Sequence, residues 1–320
     1  RIMRVSTSMI FNTGTNGIRN LQGELYKTQN QLSTGRRILT PADDPVGASE
    51  ALRVTQSKNV NERFIENQAQ AQTKLNFLDT TLDSLNNELQ AIYENTVAAG
   101  NASYSPEQRG MIAEELKRRL ENLVGLANTR DGTGQYIFAG YKTTTEPFTQ
   151  NTAATQPYSL GSSLMTYNGD SGNPTLSVTA SKDMAVADNG MSVFMQVKDA
   201  QGNVVGRSMF DSVQNLIDIL DPSSGVPYNA TDYAQALGDM KSAIDHVAMS
   251  RASVGARMQA LEGMTSAGKD ISVNYDLRLS ALQDLDWTDA ISKFSQYKTQ
   301  LEAAQLTFQQ TSQLSLFNLL

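Results

Sequence analysis

Asp43 and Asp44 stand side by side in LSTGRRILTPADDPVGAS, residues 32–49, a few positions after Arg36 and Arg37. Adjacent carboxylates are the raw material of a metal site, or of an acid and base whose pKa values are driven apart. Such a site needs a histidine, a cysteine or a third acid at a workable spacing, and none stands near. A structural role fits better. An aspartate ahead of a helix accepts its free amide protons, proline suits the first helical position, and the acid complements the helix dipole. Asp43 or Asp44 is therefore predicted to cap a helix opening at Pro45. Gly35 provides a left-handed stop for the preceding helix, and Thr40, placed before Pro41, is driven toward extended geometry. The corner between the two helices should be stiff.

The remaining candidates for chemistry are weaker. GTGQYIFAGYKT has glycines, Lys142 and Thr143, but Tyr141 separates the lysine from the last glycine, which a phosphate-binding loop does not allow. There is no G-x-S-x-G elbow, and the single histidine, His246, lies beside an apolar seam position, Val247, where a surface or interface role is expected. NGDSGN around Asp170 lacks the ordered acids of a calcium loop and reads as a turn. Cysteine is absent, which removes disulfides and thiolates and leaves zinc without its usual ligands. With 26 basic and 33 acidic residues the net charge is -7, and no basic stripe favours nucleic acid. Aromatics at 7% and one tryptophan argue against a large aromatic-lined pocket. Neither an enzyme nor a cofactor is expected. No apolar run is long enough for a membrane span, and RIMRVSTSMIFNTGTNG lacks the apolar length and cleavage site of a Sec signal, so any export should use another route.

The elements behind these residues are mostly helical. A chain of 320 residues suggests about two domains. Leu75, Leu78, Leu82, Leu85, Leu89 and Ile92 alternate spacings of three and four, a heptad seam on one helix face. From Pro45 to Ala99 only Gly47, in the first turn, interrupts, which predicts one helix of roughly 80 Å. SPEQRGMIAEELKRRLENLVGLANTRDGTG opens with Ser105, Pro106 and Gln108 as a capping box and carries Ile112, Leu116, Leu120, Leu123 and Ala127. It is predicted to stop at Gly132 and to fold back on the first helix. A second seam runs Leu237, Met240, Ile244, Val247, Val254, Met258 and Leu261, broken only by Arg251, and the seam methionines read as core filler. A last seam, Ala290, Phe294, Tyr297, Leu301, Ala304 and Phe308, follows a break near LQDLDWTD.

Both ends look unfinished. After Glu302 no charged side chain occurs, and AAQLTFQQTSQLSLFNLL is too polar for lipid and too apolar for water, so it calls for a protein partner. At the other end Ile18, Leu21, Leu25 and Leu32 make a sparse stripe on a helix of about eighteen residues, marginal alone. These ends read as elements that fold on assembly; the competing reading is that they pack on each other within one subunit. Between the helical halves, residues 143–207 are rich in Gly, Asn, Ser and Thr. The runs TLSVTAS and MSVFMQVKD predict strands, with turns at YNGDSGN, ADNG and AQGN, and GQYIFAGYK a hairpin strand ahead of them.

LSTGRRILTPADDPVGAS resembles the turn between the first two helices of the flagellin family. The terminal LSLFNLL, the opening MRVSTSM, and YNGDSGN followed by DNGMSVF are similar to the members that sit between hook and filament. The likeness is specific over roughly residues 4–142 and 230–320 and looser in the insert. The resemblance implies a mainly α chain with a small β insert, its two ends forming a long coiled-coil-like rod. Segment by segment it implies an inner-tube helix and spoke over 1–44, one half of the rod with a β-hairpin over 45–142, a β-rich outer insert over 143–207, the other rod half over 208–285 and a C-terminal inner-tube helix over 286–320. Ile18, Leu21, Leu25 and Leu32 would line the inner tube with Leu301, Phe308, Leu314, Leu316 and Phe317. Gly35, Arg36, Arg37, Pro41, Asp43, Asp44 and Pro45 would form a spoke touching a neighbouring subunit through charge-assisted contacts. The implied function is a structural subunit of the flagellum at the hook–filament junction, templating flagellin assembly. The alternatives are flagellin itself and a ligand-binding module in the β insert. The implied partners are copies of itself in a ring, the hook-side junction protein, flagellin, and an export chaperone at the C-terminal helix. The implied place is the extracellular flagellum, reached by type III export without a cleaved signal. Family members usually begin at the methionine, so a start at Met3, after Arg1 and Ile2, is expected.

Overall fold

A computed structural model describes residues 7–100 and 104–317, with side chains described at Met9, from Phe11 to Gly100 and from Tyr104 to Ser312. In chain order the helices are α1 (Thr7–Thr34), α2 (Pro45–Ala99), α3 (Pro106–Ala127), α4 (Met209–Leu220), α5 (Ala230–Gln283) and α6 (Trp287–Phe317). Two short antiparallel ladders pair β1 (Phe148–Gln150) with β2 (Met165–Tyr167) and β3 (Thr175–Thr179) with β4 (Lys182–Ala185). The chain divides into two compact units, one of residues 1–61 and 270–320, the other Glu62–Lys269.

In the unit Glu62–Lys269 the leucine seam is the backbone of the core. Leu75, Leu82, Leu85, Leu89 and Ile92 are wholly buried and Leu78 nearly so, each contributing roughly 1.5–3 kcal/mol against leaving it in water. α5 runs antiparallel to α2: Thr265 donates to Gln68 Oε1 at 3.0 Å, and the Tyr233 hydroxyl donates to the Thr96 carbonyl. Arg251, which breaks the second seam, sits where α2 offers two acids, with Nε 3.1 Å from Asp79 and a terminal nitrogen 2.6 Å from Asp83. Met240, Val247, Val254 and Leu261 are buried, Ile244 and Met258 are half-buried against the same core, and Leu237 is only half-buried while Tyr233 and Ala236 take the buried positions. The seam's first turn thus lies one position away from its predicted face, because the Tyr233 ring reaches α2.

α3 has the predicted capping box, Gln108 N–H donating to Ser105 Oγ and Ser105 N–H to Gln108 Oε1. It runs antiparallel to α2, with Arg119 3.3 Å from Glu88 and Asn95 3.4 Å from Glu115. It ends at Ala127 rather than Gly132, since the Asn128 side chain donates to the Phe148 carbonyl and accepts from its amide, holding the chain to β1. Ala113, not Ile112, completes its buried face.

The insert departs most from its sequence reading. TLSVTAS gives β3, but GQYIFAGYK yields only a single bridge, Arg130 to Tyr136, before turning at Gly140, whose φ is +67°. MSVFMQVKD begins as a π-helical turn, Met191–Met195, rather than a strand. Its consecutive residues Val193, Phe194 and Met195 are all buried, which no strand permits on one face. Phe194 packs edge-on against Phe138 at 4.9 Å and against Phe148 at 5.2 Å, and stacks on Phe210 at 5.7 Å. That aromatic cluster overrides the alternation. Phe210 comes from α4, an element absent from the periodicity reading although Ser208 and Asp211 form a capping box in front of it. The buried Asp211 also accepts from Ser163 Oγ at 3.0 Å and Leu164 N–H at 2.8 Å. The start of α4 therefore packs with the insert, and the next helix, α5, opens at Ala230.

Candidate assembly interface

The chemical candidates of the sequence resolve into structure. Both Asp170 oxygens accept the Tyr141 amide at 3.1 Å and Oδ1 takes Gly172 N–H at 2.8 Å, which makes it a turn carboxylate. Lys142 is exposed beside a turn. His246 is 7% exposed, not at a surface, and its Nε2 lies 2.9 Å from the Ser192 carbonyl of the π-helical turn. Burial lowers its pKa. Among the described residues no group of three or more His, Asp or Glu could hold a metal ion, and no helix is long and apolar enough to cross a membrane.

The corner that opened the question lies in the other unit, 1–61 with 270–320. Gly35 takes φ +67° and ends α1, Asp44 Oδ1 accepts the Gly47 amide at 2.9 Å, and α2 opens at Pro45. Asp43 does a different job. Its Oδ2 accepts the amides of Leu39 and Thr40 at 3.1 and 2.8 Å, and its Oδ1 pairs with Lys27 at 2.8 Å. The Lys27 ammonium and the Thr40 amide hold the Asp43 carboxyl down to about 2. The Gly47 amide first, and the Arg37 guanidinium after it, lower Asp44 as well.

The corner is also tied to the break between α5 and α6. Arg37 N–H donates to the Gln283 carbonyl at 2.7 Å, Leu285 N–H to the Gly35 carbonyl at 3.0 Å, and the Arg37 guanidinium to the Leu282 carbonyl at 2.8 Å. Arg37 further pairs with Asp44 at 3.2 Å. Asp286 caps α6 by accepting the amides of Thr288 and Asp289 at 2.9 and 3.1 Å. Within the subunit Arg37, Asp43 and Asp44 have charge partners in each other and in Lys27. Among the described residues Arg36 keeps an exposed side chain with no such partner, its backbone alone bridging Asp284. Lys27 and Trp287, whose ring lies 3.6 Å from where a Gly35 Cβ would stand, were not singled out by the sequence. Both helix breaks are legible as breaks, but nothing local says that they pair.

α1 packs on α6. α1 has 28 residues, not about eighteen, because its first turns have a tertiary partner: Phe11 meets Phe308 at 5.0 Å between ring centroids. Gly14 makes this approach possible, since a Cβ there would lie 2.8 Å from the Phe308 ring. Ile18, Leu21, Leu25 and Leu32 on α1 and Leu301 and Phe308 on α6 are half-buried. The side chains of Leu314, Leu316 and Phe317 lie outside the described residues. The two terminal helices therefore do pack on each other, as the competing reading held, yet they leave Met9, Phe11, Tyr26, Trp287, Ile291 and Leu306 more than half exposed. α2 and α5 add Val46, Leu52, Val273 and Leu277 to the apolar surface of this unit. Exposed apolar residues scattered singly are ordinary, and this unit carries ten that are more than half exposed, spread over four helices.

Comparison with known proteins places these features. The bacterial flagellin N-terminal helical region matches residues 5–143 and the bacterial flagellin C-terminal helical region matches residues 237–320. Flagellar hook-associated protein 3 of Salmonella typhimurium is 30% identical over 329 residues, covering 99% of this chain and 99% of that protein. A flagellin of Listeria innocua is 22% identical, covering 92% and 91%. Among solved structures, a flagellar hook-associated protein-3 from Legionella pneumophila superposes with a TM-score of 0.63 at 23% identity, over 72% of this chain and 98% of that one, which supports the fold.

Proposed function

The chain belongs to the flagellin family, and on that premise we propose that it is a structural subunit of the hook–filament junction of a bacterial flagellum, forming the layer on which flagellin begins to assemble. Its role is assembly and not catalysis. The observation that carries the reading is the end-to-end likeness to hook-associated protein 3, at higher identity than to filament flagellins.

The physical mechanism is burial deferred to assembly. Ile18, Leu21, Leu25, Leu32, Leu301 and Phe308 hold α1 to α6, while Met9, Phe11, Tyr26, Ile291 and Leu306 wait for neighbouring copies. Each such side chain contributes roughly 1.5–3 kcal/mol when covered, against about 1–2 kcal/mol per residue for whatever backbone must still be ordered. A lone subunit gains none of this, so joining an existing ring is favoured over starting one. Arg36 is the spoke charge available to a neighbour. The partners are further copies of the chain, the hook-side junction protein and flagellin, with an export chaperone covering the α6 end before secretion. The place is the extracellular flagellum.

Antibody-gold labelling of intact flagella tests the position. Label confined to a short zone between hook and filament is the expected result. Label along the whole filament would make the chain a flagellin and overturn the junction reading.

A further inference from the structure

His246, the single histidine of the chain, sits on α5 where that helix meets the π-helical turn Met191–Met195. Its Nε2 lies 2.9 Å from the Ser192 carbonyl. A carbonyl oxygen only accepts, so Nε2 carries a proton and Nδ1 is the nitrogen left to take a second one. Among the described residues Nδ1 has no hydrogen-bond partner, and no carboxylate forms an ion pair with the ring. The turn it holds is a demanding one. The Ser192 amide and hydroxyl are both engaged by Asn189 at 2.9 Å, and the next three residues, Val193, Phe194 and Met195, are seated in the core. The β3–β4 hairpin has separate ties to the long helices: Gln68 on α2 donates to the Val178 carbonyl at 2.7 Å, and Arg257 on α5 donates to the Ala185 carbonyl at 3.0 Å. The π-helical turn is tied to α5 through an imidazole, the side chain whose charge ordinarily changes between about pH 5 and 8.

The surrounding charges offer a cation nothing. Lys198, from the segment that follows the turn, repels it. The acids along this part of α5 and on the elements packed against it are committed elsewhere: Asp245 to Lys241, Asp239 to Arg207, Asp188 to Arg257, and Asp79 and Asp83 of α2 to Arg251.

We propose that His246 is a pH-sensitive latch between α5 and the insert. With one proton the ring stays buried and holds the Ser192 carbonyl. A second proton, taken from solvent at Nδ1, leaves an unpaired cation where little water reaches it, so the ring moves out and the 191–195 turn loosens. Burial first, and Lys198 against the opposing pull of the Ser192 carbonyl, lower the pKa of His246 from its ordinary 6.5. A base whose folded value is depressed contributes stability that is fully present above 6.5 and is lost as pH falls below it. The latch is therefore shut in neutral solution and opens in mild acid.

The test is hydrogen exchange of the purified full-length chain from about pH 8 to about pH 5, read on peptides covering residues 191–197 and corrected for the intrinsic rates. Alongside it, the Hε1 resonance of the single histidine follows the titration directly. The expected result is a histidine that titrates at lower pH than in the urea-unfolded chain, with severalfold loss of protection over 191–197 as pH drops, while the α2 seam stays protected. His246→Gln keeps a donor and cannot titrate, so its protection over 191–197 should not change with pH. Lys198→Met, at an exposed position, should move the histidine titration toward its unfolded value and shrink the loss of protection. A histidine that titrates as in the unfolded chain, protection that holds across the whole range, or the same loss in His246→Gln would overturn the latch. Should His246→Gln fail to fold, an unchanged titration and an unchanged loss in Lys198→Met would overturn it.

Discussion

Removal of residues 303–320 is expected to give a subunit that folds through its Glu62–Lys269 unit but never enters a flagellum. The deleted stretch holds Phe308, whose ring meets Phe11 and fills the space above Gly14, and Leu306, which stands 59% exposed on α6. Without them the first turns of α1 lose their partner, and a helix with so little apolar cover is marginal in water. The leucine seam and the aromatic cluster lie entirely outside the deleted stretch. Circular dichroism of the purified truncation should therefore show cooperative unfolding of the remaining core, while cells carrying only the truncation should be non-motile and without filaments. Motile filaments built with it would mean that the terminal helices are not the assembly surface.

Phe148→Ala should produce the largest loss of stability among single substitutions in the insert. Phe148 is 1% exposed and touches Tyr167, Phe194 and Phe210, each at 5.2 Å between ring centroids. A buried phenylalanine truncated to alanine costs about 3–5 kcal/mol, transfer and cavity together. The backbone gives little room for collapse, because Asn128 grips Phe148 from both sides and β1 is pinned to β2 with Phe148 opposite Tyr167. For a unit of this size that corresponds to a fall in unfolding midpoint of roughly 6–20 °C. Met111→Ala, at a residue 74% exposed, should shift stability by no more than about 0.5 kcal/mol. If Phe148→Ala cost no more than this control, the ring cluster would not be what holds the insert together.

The parts of the fold legible in the sequence are those with a long period and local punctuation. Asp44, Pro45 and Gly100 bracket α2, and six apolar residues at alternating spacings mark the face it buries. Ser105, Pro106 and Gln108 mark the start of α3 in the same way. The failures lie where a distant partner decides. Nothing near Met191 says that Phe194 will enter a cluster with rings from residues 138, 148 and 210, so a strand-like alternation becomes a π-helical turn. α1 outruns its stripe because Phe308 covers its beginning, some three hundred residues away. The corner's charges were legible as a rigid bend, but their partners, Lys27 and the carbonyls at 282 and 283, are set by the pairing of two helix breaks. The assembly reading rests on the apolar side chains that α1 and α6 leave exposed after packing on each other.

The most direct measurement of that reading is the fate of flagellin in a strain lacking this chain, followed by fractionating cells, sheared filaments and medium. A junction subunit predicts hooks on the cells, no filaments, and unassembled flagellin released into the medium. Normal filaments in that strain would contradict the account.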